Sequence, residues 1–541
     1  MIIQELCNIF FCEANWYFSA IDKFYFDQAH RHWLRSWDPS PTAVGQQASA
    51  NSLCFPALLF QVLAIAVQFV PPNSAVEETT RRPNAPSLDE LSKLFSDNGE
   101  RVLGTIGRHV QALTAVQADL MRCAWLKNCG RGSESWYALG NAVRQAQDQR
   151  LHLEPSPWQT TDQKEELERA WYHEHRRRLW ATLFTWESHM ALQLGRPRMI
   201  NAADCTVKTP IDSDFPEHPS RTILATPATN EKPSFYTSSL VKHYFAQHIH
   251  KLMSLGALKP GFGDYSTIQS VHAEISQFLN GLPSTMRPDG PDRSWDSQYP
   301  DFVKHRLNIS IVSNSFLLAL HKPHVVQHVQ SSELAVSAAI GVLNDTQLLF
   351  EETNPHQYKI YTVCFYLVDA GLLLAAMLAR LPGLDQIKSH AITTLQRAVL
   401  TLSKLKEKNH VAVAGEAALQ HCLQRLGCSA KITEVEQQHT DDHLPTTVAT
   451  RIETAGQYEG SLPAVDESAL ITPASSVPQT QPESAFDQWR LEGPDIFGQI
   501  MDDEAWTASW LEQMNSISSM SFDFDEDGLE WNTGSSTALS A

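Results

Sequence analysis

Three groups of side chains in this 541-residue chain have types and spacings that could do chemistry. His321, His324 and His328 stand three and four residues apart, a spacing at which imidazoles on one helical face can share a zinc ion. Pro323 interrupts a helix between them, so surface or capping histidines are the expected reading. Asn344-Asp345 with Glu352 carries part of the pattern by which helical carboxylates grip diphosphate-bound magnesium. The hydroxyl position four after the Asn is Leu348, however, and no Asp-rich partner motif lies on a helix upstream. The nine cysteines form no Cys-x2-Cys step and read as reduced thiols packed as small hydrophobes. No Gly-rich phosphate loop, Gly-x-Ser-x-Gly elbow or His-Glu-x-x-His helix is present. No catalytic, cofactor-binding or metal-ligating residue is therefore expected, and the chain is not expected to be an enzyme.

The elements that would hold any site are helices. Apolar residues recur at helical spacing over 11–37, 57–70, 87–96, 99–128, 133–149, 163–194, 235–255, 265–280, 303–321, 331–352, 358–379, 386–408 and 411–426, and no useful strand alternation occurs. Pro39-Ser40-Pro41, Pro71-Pro72, Pro155-Ser156-Pro157 and the proline-bearing stretches 210–233 and 283–300 separate them. The apolar runs 57–70 and 364–381 read as core helices, since Gln61 and Gln68 in one and Asp369 and Arg380 in the other would be stranded in lipid. The expected fold is all-α. Trp136, Leu139, Val143 and Ala146 mark one helix face; the next helix carries Arg176-Arg177-Arg178-Leu179-Trp180 and ends at Gly195-Arg196-Pro197. Three consecutive arginines point around a helix rather than along one face, so pairing with carboxylates between helices, or exposure, is expected of them.

In their order and spacing these segments resemble the middle homology region of fungal zinc-cluster transcription factors. The resemblance rests on Leu139-Gly140-Asn141-Ala142-Val143-Arg144-Gln145-Ala146, Leu151-His152, Glu174 to Trp180 through Arg176, Arg177 and Arg178, and the Gly195, Arg196, Pro197 turn. Phe11-Cys12-Glu13-Ala14-Asn15-Trp16-Tyr17 is similar to the entry of the same region. Arg150 departs from the pattern, standing where the family commonly has a helix-ending Gly. The resemblance implies a nuclear regulator of RNA polymerase II genes, frequently metabolic or secondary-metabolite genes, in which a six-cysteine zinc cluster reads DNA. This chain has no such cluster, so zinc is expected only if one lies upstream. Either the sequence begins downstream of the cluster, or the protein acts as a head-less interaction protein that binds and modulates other transcription factors. An all-helical metal-dependent enzyme is the third and weakest reading.

Charge and tail composition fit a regulator. With 42 Lys plus Arg against 61 Asp plus Glu, the formal charge is −19, so phosphate backbones would be repelled by the chain as a whole. Residues 1–430 are expected to form the helical regulatory domain, 431–484 a disordered linker, and 485–541 an acidic aromatic activation tail. In that tail Phe497, Trp506, Trp510, Phe522, Phe524 and Trp531 alternate with carboxylates, a makeup suited to docking as an amphipathic helix in a partner's apolar groove. If the tail instead folds back on the body, Arg176 to Arg178 are candidate acceptors for its carboxylates. The expected partners are the transcription machinery or a coactivator through the tail, DNA through the missing cluster or another protein, and a second copy of the chain in a homodimer. No membrane partner is expected.

Overall fold

In the computed structural model of the chain, residues 2–36, 49–83, 85–156, 160–228, 231–381 and 383–428 are described. The sequence readings for 431–484 and 485–541, including Phe497, Trp506, Trp510, Phe522, Phe524 and Trp531, lie outside these residues. Among the described residues there is no strand. The N-terminal half comprises α1 (Ile2–Ile9), a π-helical turn (Phe10–Ala14), α2 (Asn15–Phe18), α3 (Lys23–Ser36), α4 (Ala50–Gln68), α5 (Ala75–Thr80), α6 (Leu88–Ile106), α7 (Leu113–Asn128), α8 (Gly132–Asp148) and α9 (Gln163–Leu194). The C-terminal half comprises α10 (Thr237–Leu255), α11 (Tyr265–Asn280), α12 (Asp301–His321), α13 (Val329–Glu351), α14 (Tyr361–Arg380), α15 (Asp385–Leu405) and α16 (His410–Arg425).

Each half has its own core. Leu58, Leu63, Val116, Leu120, Leu139 and Leu183 help fill the first, and Phe245, Ile309, Leu343, Leu367 and Leu402 the second. Helices α4 and α14 are long and apolar enough to cross a membrane, yet 72% and 78% of their apolar windows are buried here as central core helices. The two halves meet where α9 packs on α10.

Helix ends follow local chemistry. Asp162 caps α9 by accepting from the Lys164 amide at 2.9 Å, and Gly195 closes the helix in the left-handed region at φ +60°. Ser87 and Glu90 form a capping box at the start of α6. Five helix ends share one closure, in which an amide bonds back five residues across a residue of positive φ: Arg131 to Leu126, Leu151 to Ala146, Arg196 to Ala191, Ala257 to Leu252 and Cys428 to Leu423. The positive-φ residue is Gly130, Gly195, Gly256 or Gly427 in four of them, and Arg150 at φ +56° in the fifth. Arg150 thus adopts the conformation that Gly takes at the other ends.

Several expected boundaries are corrected. The single helix read over 11–37 is broken, because Ser19 takes a left-handed conformation at φ 47° and Asn15 donates to the Ile21 carbonyl at 2.9 Å across the break. No interruption occurs near residue 99; α6 runs through it. A Cβ at Gly99 would lie 2.6 Å from Gln61 Nε2 and 3.0 Å from the Ala57 carbonyl, so this glycine permits α4 and α6 to approach rather than ending a helix. Gln61 fixes that crossing by donating to the Ser96 carbonyl at 2.8 Å and accepting from Ser96 Oγ at 2.9 Å. Helices α1 and α5 are additions to the sequence reading.

Candidate functional site

The arginine block lies mid-way along α9 and works as a clasp. Glu174 is fully buried and accepts from Arg178 Nε at 3.0 Å and from the Ile211 amide at 2.9 Å. Arg178, 4% exposed, also donates to the Ser213 carbonyl at 2.7 Å. Its guanidinium lies 4.1 Å from the centroid of the Tyr236 ring and 5.8 Å from those of Trp171 and Phe215. Arg177 pairs with Glu154, whose carboxylate also accepts from the Lys208 amide at 3.1 Å. Burial opposes ionisation of Glu154, but the Arg177 and Lys208 hydrogen bonds outweigh it and hold its carboxyl below the ordinary value. Arg176 donates only to the Gln149 carbonyl, at 2.9 Å. Together these groups pin the segment 205–215 onto α9 and the end of α8.

The Gly-Arg-Pro turn is a second stitch. Arg196 donates to Ser133 Oγ at 3.1 Å and stacks on Trp136 with 4.7 Å to the ring centroid. After Pro197 the Met199 amide donates to the buried carboxylate of Glu187, which also meets His250 Nε2 at 3.3 Å. A Cβ at Gly140 would stand 3.2 Å from Met199 Sδ, so the glycine of the Leu139-Gly140 step admits this loop. Trp180 is 2% exposed in the first core. The structure places Arg176, Arg177, Arg178 and Trp180 mid-way along α9 and Gly195, Arg196 and Pro197 at and beyond its C-terminal end. Arg177 and Arg178 are already paired inside the body; the reading of the three arginines as acceptors for tail carboxylates involves residues outside those described.

The other sequence candidates are also placed. His321 and His324 are buried, which corrects the surface or capping reading. His321 shares hydrogen bonds of 2.8 Å with His272 and 2.9 Å with Ser331, and burial pushes it down to about 3. His324 Nε2 donates to the Ala257 carbonyl at 3.0 Å, and His328 stacks on Tyr265 at 3.6 Å. Asp345 accepts from Ser310 at 2.6 Å and Asn314 at 3.2 Å inside the second core, and burial pushes it up to about 6. Among the described residues no three His, Cys, Asp or Glu side chains come together in a way that could hold a metal.

A cleft that sequence reasoning did not find lies between the two cores. Its walls come from α2, α7, α9, α10, α12 and α14, and it encloses about 920 Å³ out to its open mouth, with about 90 Å³ where the centre of a water molecule can sit. Lys127 and Lys242 face it, as do Trp186, Tyr17 and Tyr361, and among the described residues no Asp or Glu lines it. Lys127 Nζ sits 5.3 Å from the Trp186 ring and 5.0 Å from Tyr361, and Lys242 Nζ 5.1 Å from Tyr17. Burial lowers Lys127 and brings Lys242 down to about 8. Burial and the two lysine charges push His189, on the same wall, down to about 4. Tyr236 lines the cleft and also carries Arg178 on its ring, so clasp and cleft share a side chain. The sequence signal was a lysine directly after two apolar residues on each of two helices, at Trp125-Leu126-Lys127 and Leu240-Val241-Lys242.

These features belong to an all-helical body. Residues 8–259 match the family described as the fungal specific transcription factor domain. It is similar to the probable transcription factor sol4 of Alternaria solani, 24% identical over 70% of this chain and 66% of the relative. Similarity extends to the equisetin cluster transcription factor eqxF of Fusarium heterosporum, 23% identical over 55% of this chain and 43% of that protein. A third relative, the Zn(2)-C6 fungal-type transcription factor pigI of Monascus ruber, is 20% identical over 55% of this chain and 36% of its own length. The chain thus spans from about a third to about two thirds of these relatives. No solved structure matches it.

Proposed function

We propose that this chain is the regulatory body and activation tail of a fungal transcription regulator acting in the nucleus on RNA polymerase II genes, of the kind that governs a secondary-metabolite gene cluster. The observation that carries this reading is the match of residues 8–259 to the fungal specific transcription factor domain, and relatives named for such clusters support it. Residues 1–430 would be the regulatory unit, 431–484 the linker and 485–541 the tail that docks on a coactivator or the transcription machinery. DNA would be reached through a zinc cluster outside this sequence or through a protein partner, because none of the nine cysteines here has cluster spacing. The alternative reading is a head-less protein that binds other regulators and modulates them.

The test is a reporter driven by the full chain fused to a heterologous DNA-binding head. Expression should rise, and joint replacement of Trp506, Trp510, Phe522 and Phe524 by Ala should lower it by about tenfold or more, since buried aromatic anchors dominate such docking. Unchanged output on that replacement would sink the activation-tail reading. Activity only when a second regulator is co-expressed would favour the head-less one.

A further inference from the structure

We propose that the cleft between the two cores binds a small organic anion, a carboxylate on a flat apolar body, with the carboxylate seated between the ammonium groups of Lys127 and Lys242. Charge is the first argument. The chain carries 61 acidic residues against 42 basic ones, yet among the described residues the cleft presents two lysines and a histidine and no carboxylate. Every ion pair found among the described residues leaves Lys127 and Lys242 out, so their charges are met only by ring faces. Ammonium groups held away from bulk water without an anion are unfavourable, and a bound carboxylate would relieve both at once.

Unused hydrogen-bonding capacity points the same way. His189 Nε2 on the cleft wall is buried and has no hydrogen-bond partner among the described residues. Buried polar atoms are almost always paired, so an unpaired one facing a cavity marks where a guest's polar atom belongs. Asn308, 2% exposed, lines the same cleft and adds an amide to its wall. The shape of the guest follows from the other walls: Trp186, Tyr361 and Tyr17 offer ring faces suited to a flat apolar body. Two monovalent cations without an arginine fork fit a monocarboxylate better than a phosphate, which is commonly gripped by bidentate guanidinium groups.

This inference goes beyond the regulatory reading, and its test needs no transcription. The full chain is titrated calorimetrically with 1-naphthoate and with the uncharged 1-naphthamide. Naphthoate should bind at least about tenfold more tightly than the amide, one decade being the signature of a direct charge contact. Lys127→Met and Lys242→Met should each weaken naphthoate by about tenfold or more while leaving the amide unchanged. Both variants remove a half-buried charge and keep the alkyl stem, and an unliganded melting temperature no lower than wild type verifies the fold. The comparison of acid with amide on the wild-type chain stands even if a variant misfolds. Absence of naphthoate binding, equal binding of acid and amide, or wild-type affinity in both folded variants would overturn the proposal. Each of those results would leave the transcription reading, measured by reporter output, as it stood.

Discussion

Replacing Arg178 by Met tests whether the arginine block holds the fold. The change preserves most of the apolar stem while removing a guanidinium that is 4% exposed. Three losses follow from the geometry. Glu174, fully buried, keeps the Ile211 amide at 2.9 Å but is left with Arg177 at 3.6 Å as its nearest cation; breaking a buried pair from one side costs about 3–5 kcal/mol. The Ser213 carbonyl loses a 2.7 Å donor, worth about 1–3 kcal/mol if it stays dry. The stacking on Tyr236 at 4.1 Å is worth about 1–2 kcal/mol when desolvated. These contributions overlap, so the expected net loss is about 4–6 kcal/mol, a large share of the roughly 5–15 kcal/mol that stabilises a domain. Urea unfolding followed by circular dichroism and tryptophan fluorescence would read it as a lower midpoint at unchanged slope. Adding Glu174→Gln should recover part of the loss, because the stranded charge goes with it. Arg176→Met, which gives up one hydrogen bond to a backbone carbonyl, should cost no more than about 1 kcal/mol. A loss below about 1 kcal/mol for Arg178→Met would refute the clasp.

Three further changes have signs fixed by local geometry. Arg150→Gly relieves a left-handed residue at φ +56° and should raise stability by about 0.5–1 kcal/mol in the same urea assay, the relief of about 1–2 kcal/mol being partly offset by the freer unfolded chain. Gly415→Ala should destabilise by about 1–3 kcal/mol, because its Cβ would collide with Val368 Cγ2 where α16 crosses α14; a neutral effect would mean that the crossing is looser than described. Asp345, raised from 3.8 to about 6 by burial, ionises in the unfolded chain first, so its contribution to stability is present below pH 3.8, falls as pH rises from there to about 6, and stays lost above. Asp345→Asn should therefore stabilise by up to about 3 kcal/mol at pH 7.5 and have little effect near pH 4, and a benefit of equal size at both pH values would show that the carboxylate is not the cause.

Much of the fold is legible in the chain. Helix α9 runs as expected over Gln163–Leu194 because Asp162 and Gly195 are strong local end signals, and α11 falls at Tyr265–Asn280 between Asp264 and Gly281 in the same way. Failures occur where the deciding partner is remote in sequence. The break read between residues 96 and 99 is absent, and the close approach of Gln61 on α4 to Gly99 could not be read from the chain. His321 looks like a surface group until His272 on α11 pairs with it. The motif arginines are visible as a block, but apart from Glu174 the partners of all three, Gln149, Glu154, Ile211 and Ser213, lie outside α9, so their role emerges only on folding. The cleft was the least legible feature, since Lys127, His189, Lys242, Asn308 and Tyr361 come from five helices and share no spacing.

The central claim is that this chain governs transcription, and transcript profiling of a strain lacking its gene tests that most directly. The account expects a coordinated fall in a contiguous block of biosynthetic genes, restored when the full chain is returned and not when residues 485–541 are removed. A transcript profile indistinguishable from the parent strain under conditions in which the protein is made would contradict it.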